Sequence, residues 1–185
     1  MTIAVYCGSS AGNNSEYEQR TKDFGKFLAL NNINVVYGGG RVGLMGVLAD
    51  TVIENGGKVC GVIPEKLKEK ELEHTGITEL RVVADMHERK ATMAELADGF
   101  VALPGGAGTL EEIFEVWTWA QLGFHNKPCA FFNINGFYDK LIDMLETMSV
   151  EGFLKKEYVD MIINTDNEDK LLLALKEYKA PKHKW

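Results

Sequence analysis

Residues 99–123 read GFVALPGGAGTLEEIFEVWTWAQLG. Three textures follow one another without a gap. GFVAL (99–103) is a short apolar run of the kind that forms a strand buried on both faces. PGGAGT (104–109) is a glycine-rich turn. TLEEIFEVWTWAQLG (109–123) then carries apolar residues at helical spacing. A strand that enters a glycine turn and leaves as a helix is the repeating unit of a parallel α/β sheet.

The same alternation runs outward in both directions. TIAVYC (2–7), INVVYG (33–38), KVCGVI (58–63), ELRVVA (79–84), PCAFFN (128–133) and MIINT (161–165) read as further strands, the third ended by Pro64. SEYEQRTKDFGKFLALNN (15–32) reads as a helix with Ser15 at its cap and Tyr17, Phe24, Phe27 and Leu28 on one face. GLMGVLADTVIENGG (43–57) is a helix closed by Gly56; MHERKATMAELA (86–97), FYDKLIDMLETMSVEG (137–152) and NEDKLLLALKEY (167–178) complete the series. The fold expected is α/β: a Rossmann-like, doubly wound parallel sheet with right-handed crossovers, in a single domain over residues 1–178. Residues 179–185 form a basic, Pro-broken tail to which no function is assigned.

Composition narrows the function. The 185 residues carry a net charge of −7, which argues against a general nucleic-acid binder. Hydrophobic residues are 45% and charged residues 25%, as in an ordinary globular protein. The N-terminal MTIAVYCGSS lacks a basic n-region, so no signal peptide is expected, and no apolar run reaches the ~18 residues of a membrane span. Cys7, Cys60 and Cys129 form no CxxC pair and read as buried free thiols, which suits a reducing cytoplasm.

In doubly wound folds ligands bind beyond the carboxyl ends of the strands. Four loops on that edge are unusual: CGSSAGNN (7–14), YGGGRVGLMG (37–46), DMHERK (85–90) and PGGAGT (104–109). Gly105, Gly106 and Gly108 permit close backbone approach, and Thr109 is expected to open a helix, so amides and the positive helix end converge on a phosphate or carboxylate. GGGRVG (38–43) matches the dinucleotide fingerprint through Gly38, Gly40 and Gly43, but NAD binding would leave PGGAGT surplus. A mononucleotide held between the loops accounts for both.

Asp85 and Glu88 have capping-box spacing, so a helix should start near Met86. Arg89 and Lys90 then fall in or beside its first turn, where cations oppose the macrodipole. They are either a solvated basic pair or face an anion or acidic side chain, and the shared edge favours the second. Thr109 to Glu112 is a T-x-x-E capping box, and Glu111 could be a helix-start acid. Where the helix end also receives a phosphate, a carboxylate is better explained if it faces the sugar, with Arg89 pairing with it and holding it ionised.

MHERK, followed fourteen residues later by PGGAGTLEE, resembles the Lonely Guy (LOG) family of cytokinin-activating phosphoribohydrolases, once labelled lysine decarboxylase-like. The resemblance runs from CGSS through YGGGRVGLMG to TWAQLG. It implies a Rossmann-like domain, usually a homodimer, that works without metal or cofactor. The implied reaction cleaves the N-glycosidic bond of AMP-type nucleotides, often N6-prenylated, to free base and ribose 5-phosphate. By the same resemblance Arg89 and Glu112 are the catalytic pair. Lys90, the stretch Gly105, Gly106, Ala107, Gly108, Thr109, Leu110 and Glu111, and Thr118 and Glu71 are implied nucleotide contacts. Gly39, Gly40 and Met86 are further substrate-binding candidates. Ala107 stands where plant members often have an aromatic.

A non-catalytic nucleotide or cofactor carrier of the same fold is the second reading, disfavoured because mere binding needs no carboxylate beside a phosphate. Lysine decarboxylation finds little support, since Lys90 sits among anion-binding features rather than as a Schiff-base lysine. No metal is expected, because His74, His87, His125 and His183 lack ligand spacing and read as surface or capping residues. Trp117 and Trp119 point to different faces of their helix, and with Phe114 and Leu122 they leave apolar surface for a second copy.

Overall fold

The computed structural model describes residues 1–68 and 73–181. Among the described residues seven strands form one sheet: β1 (Thr2–Tyr6), β2 (Asn34–Tyr37), β3 (Val59–Pro64), β4 (Glu79–Val83), β5 (Gly99–Ala102), β6 (Cys129–Phe132) and β7 (Ile162–Thr165). Their order is β4-β3-β2-β1-β5-β6-β7, and every pairing is parallel. The chain steps outward from β1 to β4, then returns to the other side of β1 with β5. Loops leaving β1 and β5 therefore diverge to opposite faces and open a crevice at the switch point.

The strands alternate between two cores, as a period of two requires. Ile3, Val5 and Cys7 pack on one face under α1 (Ser15–Leu30), α2 (Gly43–Glu54) and α8 (Glu168–Glu177). Ala4 and Tyr6 pack on the other under α4 (Met86–Leu96), α5 (Ala107–Gln121), α6 (Asp139–Val150) and α7 (Lys156–Val159). The edge strand β4 departs from the double-burial pattern, since Glu79, Arg81 and Val82 are exposed. Helix α3 (Glu65–Lys68), α7 and a 3₁₀ turn at Ile134–Gly136 are too short to show a helical period and have no counterpart in the sequence reading.

Two expected caps are displaced. Asn14, not Ser15, caps α1: its backbone is extended and its side chain accepts from Glu16 N at 3.0 Å, which leaves Ser15 as the first helical residue. Helix α5 starts two residues earlier than expected, at Ala107, with Gly106 as N-cap and no side-chain cap bond. Thr109 is therefore inside the first turn, and the T-x-x-E capping box does not exist. Asp85 does cap α4, accepting from His87 N and Glu88 N at 2.9 Å each, and Glu88 reaches back to Ala84 N at 2.6 Å. Among the described residues no helix is long and apolar enough to cross a membrane.

Candidate functional site

The crevice is built by packing loop on loop. Gly8 N donates to Pro104 O at 3.1 Å, and Leu44 N donates to Gly8 O at 3.0 Å. Gly43 has φ +60°, and a side chain there would fall onto the Ser9–Ser10 backbone. Only glycine lets the loop after β2 press against the loop after β1. A side chain at Gly105 would overlap Thr109 Oγ1 and come within 2.9 Å of Gly8 N, so Gly105 is the closure point of the turn.

The α5 turn beyond that point faces open space. A Cβ at Gly106 or Gly108 would meet nothing within 4 Å. Leu110 N is bonded back to Gly106 O at 3.2 Å, and the amides ahead of it have no acceptor within the helix. A bare helix N-terminus of this kind attracts an anion.

That turn lines one side of a pocket of about 380 Å³. Gly106, Ala107, Gly108 and Thr109 lie beside Glu111 and Glu112 from α5, and Met86 and Arg89 from α4. Cys7, Gly8, Ser9, Met45 and Leu67 complete it. The first four of these belong to the CGSSAGNN and YGGGRVGLMG segments, Met45 in the first turn of α2; nothing in the sequence marks Leu67. A smaller depression of about 200 Å³ lies at the other edge, by the amino ends of the strands, beside the exposed Glu79–Arg81 pair.

Arg89 is only 6% exposed. Its Nη2 donates to Gly38 O at 3.0 Å, and its Nη1 lies 3.6 Å from Met86 Sδ. A side chain at Gly38 would overlap Nη2, so the first glycine of GGGRVG makes room for the guanidinium. Gly39 packs on Ile63 and Leu80 at φ +81° and accepts from His74 N at 3.0 Å, while Gly40 bridges to Glu73. Neither Gly39 nor Gly40 lines the pocket.

Lys90 is 8% exposed and stands behind Glu111. Its Nζ donates to Glu111 Oε1 at 2.6 Å and to Glu115 Oε1 at 3.1 Å. Burial alone would depress its pKa, but the bonds to Glu111 and then Glu115 outweigh it and hold the ammonium above its usual range. The solvated-pair reading of Arg89 and Lys90 therefore fails: both are buried. Glu111 is no helix-start acid either, since α5 begins four residues before it; its carboxylate is spent on Lys90.

Glu112 stands over the carboxyl end of β1. Burial pushes both the Tyr6 phenol and the Cys7 thiol upward, and the Glu112 charge adds to each. The carboxylate thus has two groups within its electrostatic reach that burial keeps protonated. Leu110 is half-buried against the core beneath α5. Thr118 is exposed and about 16 Å along α5 from its start, so the fold does not bring it to this pocket. Glu71 lies outside the described residues, as does His183.

His74 is buried rather than on the surface. Gly76 N donates to its Nδ1 at 3.1 Å, so Nε2 carries the proton and donates to Asp50 Oδ1 at 2.9 Å. His125 sits near the end of α5, with Nε2 2.8 Å from Val116 O; burial lowers its pKa. Cys60 is half-buried, whereas Cys7 and Cys129 are buried.

Residues 45–175 match the family model described as "Possible lysine decarboxylase". The chain is 46% identical over 181 residues to cytokinin riboside 5′-monophosphate phosphoribohydrolase LOG4 of Arabidopsis thaliana, covering 98% of this chain and 84% of that protein. It is 51% identical over 154 residues to the cytokinin riboside 5′-monophosphate phosphoribohydrolase of Rhodococcoides fascians, covering 83% and 78%. Among solved structures it is similar to the molybdenum cofactor carrier protein of Chlamydomonas reinhardtii, with a TM-score of 0.72 at 18% identity over 95% of this chain and 96% of that one. At that identity the likeness concerns the fold alone.

Proposed function

The chain belongs to the LOG family of cytokinin riboside 5′-monophosphate phosphoribohydrolases, and from that premise we infer that it hydrolyses the N-glycosidic bond of adenosine 5′-monophosphates, N6-modified ones included, to free base and ribose 5-phosphate. The observation that carries the reading is one pocket holding a bare helix N-terminus, Arg89 and Glu112 together.

The 5′-phosphate sits on the α5 turn at Gly106–Thr109, where orphan amides and the helix dipole meet it. The sugar then lies along α5 toward Glu112. Breaking C1′–N9 leaves the bonding pair on the base and positive charge on the ribose. Glu112 stabilises that charge and takes a proton from the water that adds to C1′. N9 of the base gains a proton from solvent as it leaves, and Glu112 returns the proton it took from water to solvent, so the bond closes with one water consumed. Arg89, fixed by the Gly38 carbonyl, orients Glu112 and the nucleotide. Glu111 stands at the lip of the pocket, and Lys90 behind it holds its carboxylate in place. Water is the only co-substrate the proposal requires.

The two glutamates at the cradle's lip thus have separate duties. Glu111 is neutralised by Lys90, and Glu112 serves the carbon one sugar away from the phosphate.

The rival chemistries fit less well. A Schiff-base lysine must be open and lose its proton, whereas Lys90 is buried and clamped between two carboxylates. A carrier needs no carboxylate facing the sugar.

Nucleoside monophosphates are expected to be cleaved and the matching nucleosides spared, because the phosphate supplies binding energy that fixes the sugar. Chromatography of the bases released from AMP, N6-isopentenyl-AMP and adenosine checks this. Equal turnover of adenosine and AMP would remove the cradle from the mechanism, and no release from either monophosphate would favour the carrier.

The proposal includes a cytoplasmic homodimer. The three thiols are free, which suits a reducing compartment. Leu110, Phe114 and Trp119 of α5 and Leu141, Ile142 and Met148 of α6 are only partly buried, and Met144 is 49% exposed. A second copy on this face would cover them, and it would give exposed Thr118 a neighbour. Light scattering at micromolar concentration is expected to return twice the 20.6 kDa chain mass. A monomeric mass would contradict the dimer.

A further inference from the structure

A second pocket, of about 300 Å³, opens on the α1–α2 face of the sheet. Gly8, Ser9 and Gly106 line both this pocket and the first, so the two meet at the glycine turn. The second pocket touches the phosphate end of the proposed site and none of Arg89, Glu111 or Glu112. A molecule reaching into it therefore extends from the 5′-phosphate, not from the base.

Its chemistry is specific. Among the described residues that line it, none carries a charge. Tyr17 and Phe137 meet edge to face at its rim, with ring centroids 5.8 Å apart, and Phe137 is 42% exposed. Ser9 and Ser10 add two hydroxyls that can donate or accept. An anionic head would find no counter-ion here, and an aliphatic chain would leave the hydroxyls unused. Aromatic faces with hydroxyls suit a neutral nucleobase and its sugar.

We propose that this pocket binds the second nucleoside of a dinucleotide joined through a 5′,5′-pyrophosphate, so that such dinucleotides span both pockets in competition with the monophosphate. The geometry agrees with the general rule that dinucleotides lie across the switch point of a doubly wound sheet. The placement of the phosphate rests on the phosphoribohydrolase reading.

Diadenosine 5′,5′-diphosphate is the probe, and ADP, which has the same two phosphates and no second ring, is the control. Calorimetry is expected to show the dinucleotide binding at least about tenfold tighter than ADP, the scale of one base stacking on an aromatic ring. It should also inhibit AMP hydrolysis competitively. Tyr17→Ala and Phe137→Ala should each remove most of that gain while leaving ADP affinity and AMP turnover unchanged. Phe137, being exposed, keeps the test valid if the Tyr17 variant misfolds. Equal affinity for the dinucleotide and ADP, or a gain that survives Phe137→Ala, would overturn the proposal. Failure of the parent protein to hydrolyse AMP would count against the phosphoribohydrolase reading, and the two affinities would still decide this one.

Discussion

Replacing Glu112 with glutamine is expected to lower AMP turnover by about 10²-fold or more, the scale for losing a positioned acid–base group. Glutamine keeps the shape of the side chain. Glu112 lies in the second turn of α5 and plays no part in capping it, since Gly106 does that without a side chain. Folding stability should therefore change by only about 1 kcal/mol. AMP affinity should hold or tighten, because a negative charge near the phosphate is removed. Calorimetric AMP affinity, measured beside base release, separates the two effects. Hydrolysis at the parental rate would sink the mechanism.

Arg89→Ala should cost turnover about 10²- to 10³-fold, the range for removing a fixed charge-stabilising donor, and should weaken AMP binding as well. It also strips the Gly38 carbonyl of its partner, at about 1–3 kcal/mol of stability. Gly38→Ala isolates position from charge. Gly38 is not among the residues with positive φ, so its backbone accepts alanine, but the added Cβ would overlap Arg89 Nη2. The guanidinium must then move, and a misplacement near 1 Å is enough for a loss of about 10²-fold. Steady-state kinetics with AMP reads both variants. Full activity in Gly38→Ala would mean that catalysis does not depend on where the guanidinium lies.

The sheet was legible because its strands are short and β-rich, and most of them are bounded by glycine, proline or asparagine. All seven strands fall where their apolar runs lie. The displaced start of α5 has a local cause. Ala107 and Gly108 look like loop because glycine is a poor helix former, so α5 is expected only from Thr109, with Glu112 in its cap. The backbone takes the helix anyway, with Gly106 as its open end. The burial of Arg89 could not be read from its own segment, because the space comes from a glycine fifty-one residues earlier. Lys90 is similar: its position opposite Glu111 and Glu115 follows from α4 and α5 packing side by side on one face. His74 gave no signal either, since its partner Asp50 lies on a helix twenty-four residues away.

The central position of β1 has a consequence for the birth of the protein. Its second neighbour is β5, through Ile3↔Gly99, and the join is sealed by Thr2 N donating to Asp98 Oδ2 at 2.7 Å across a separation of 96 residues. At ribosomal speeds that stretch takes about 5 to 20 s to make. During that interval the first strand has a neighbour on one side only, and pairings this distant in sequence are slow to form. Gly8 and Gly105 face each other across the same seam. The proposed cradle therefore cannot exist on a nascent chain until β5 and the start of α5 have been made, and a phosphate ligand there would select only molecules whose β1–β5 seam has already closed.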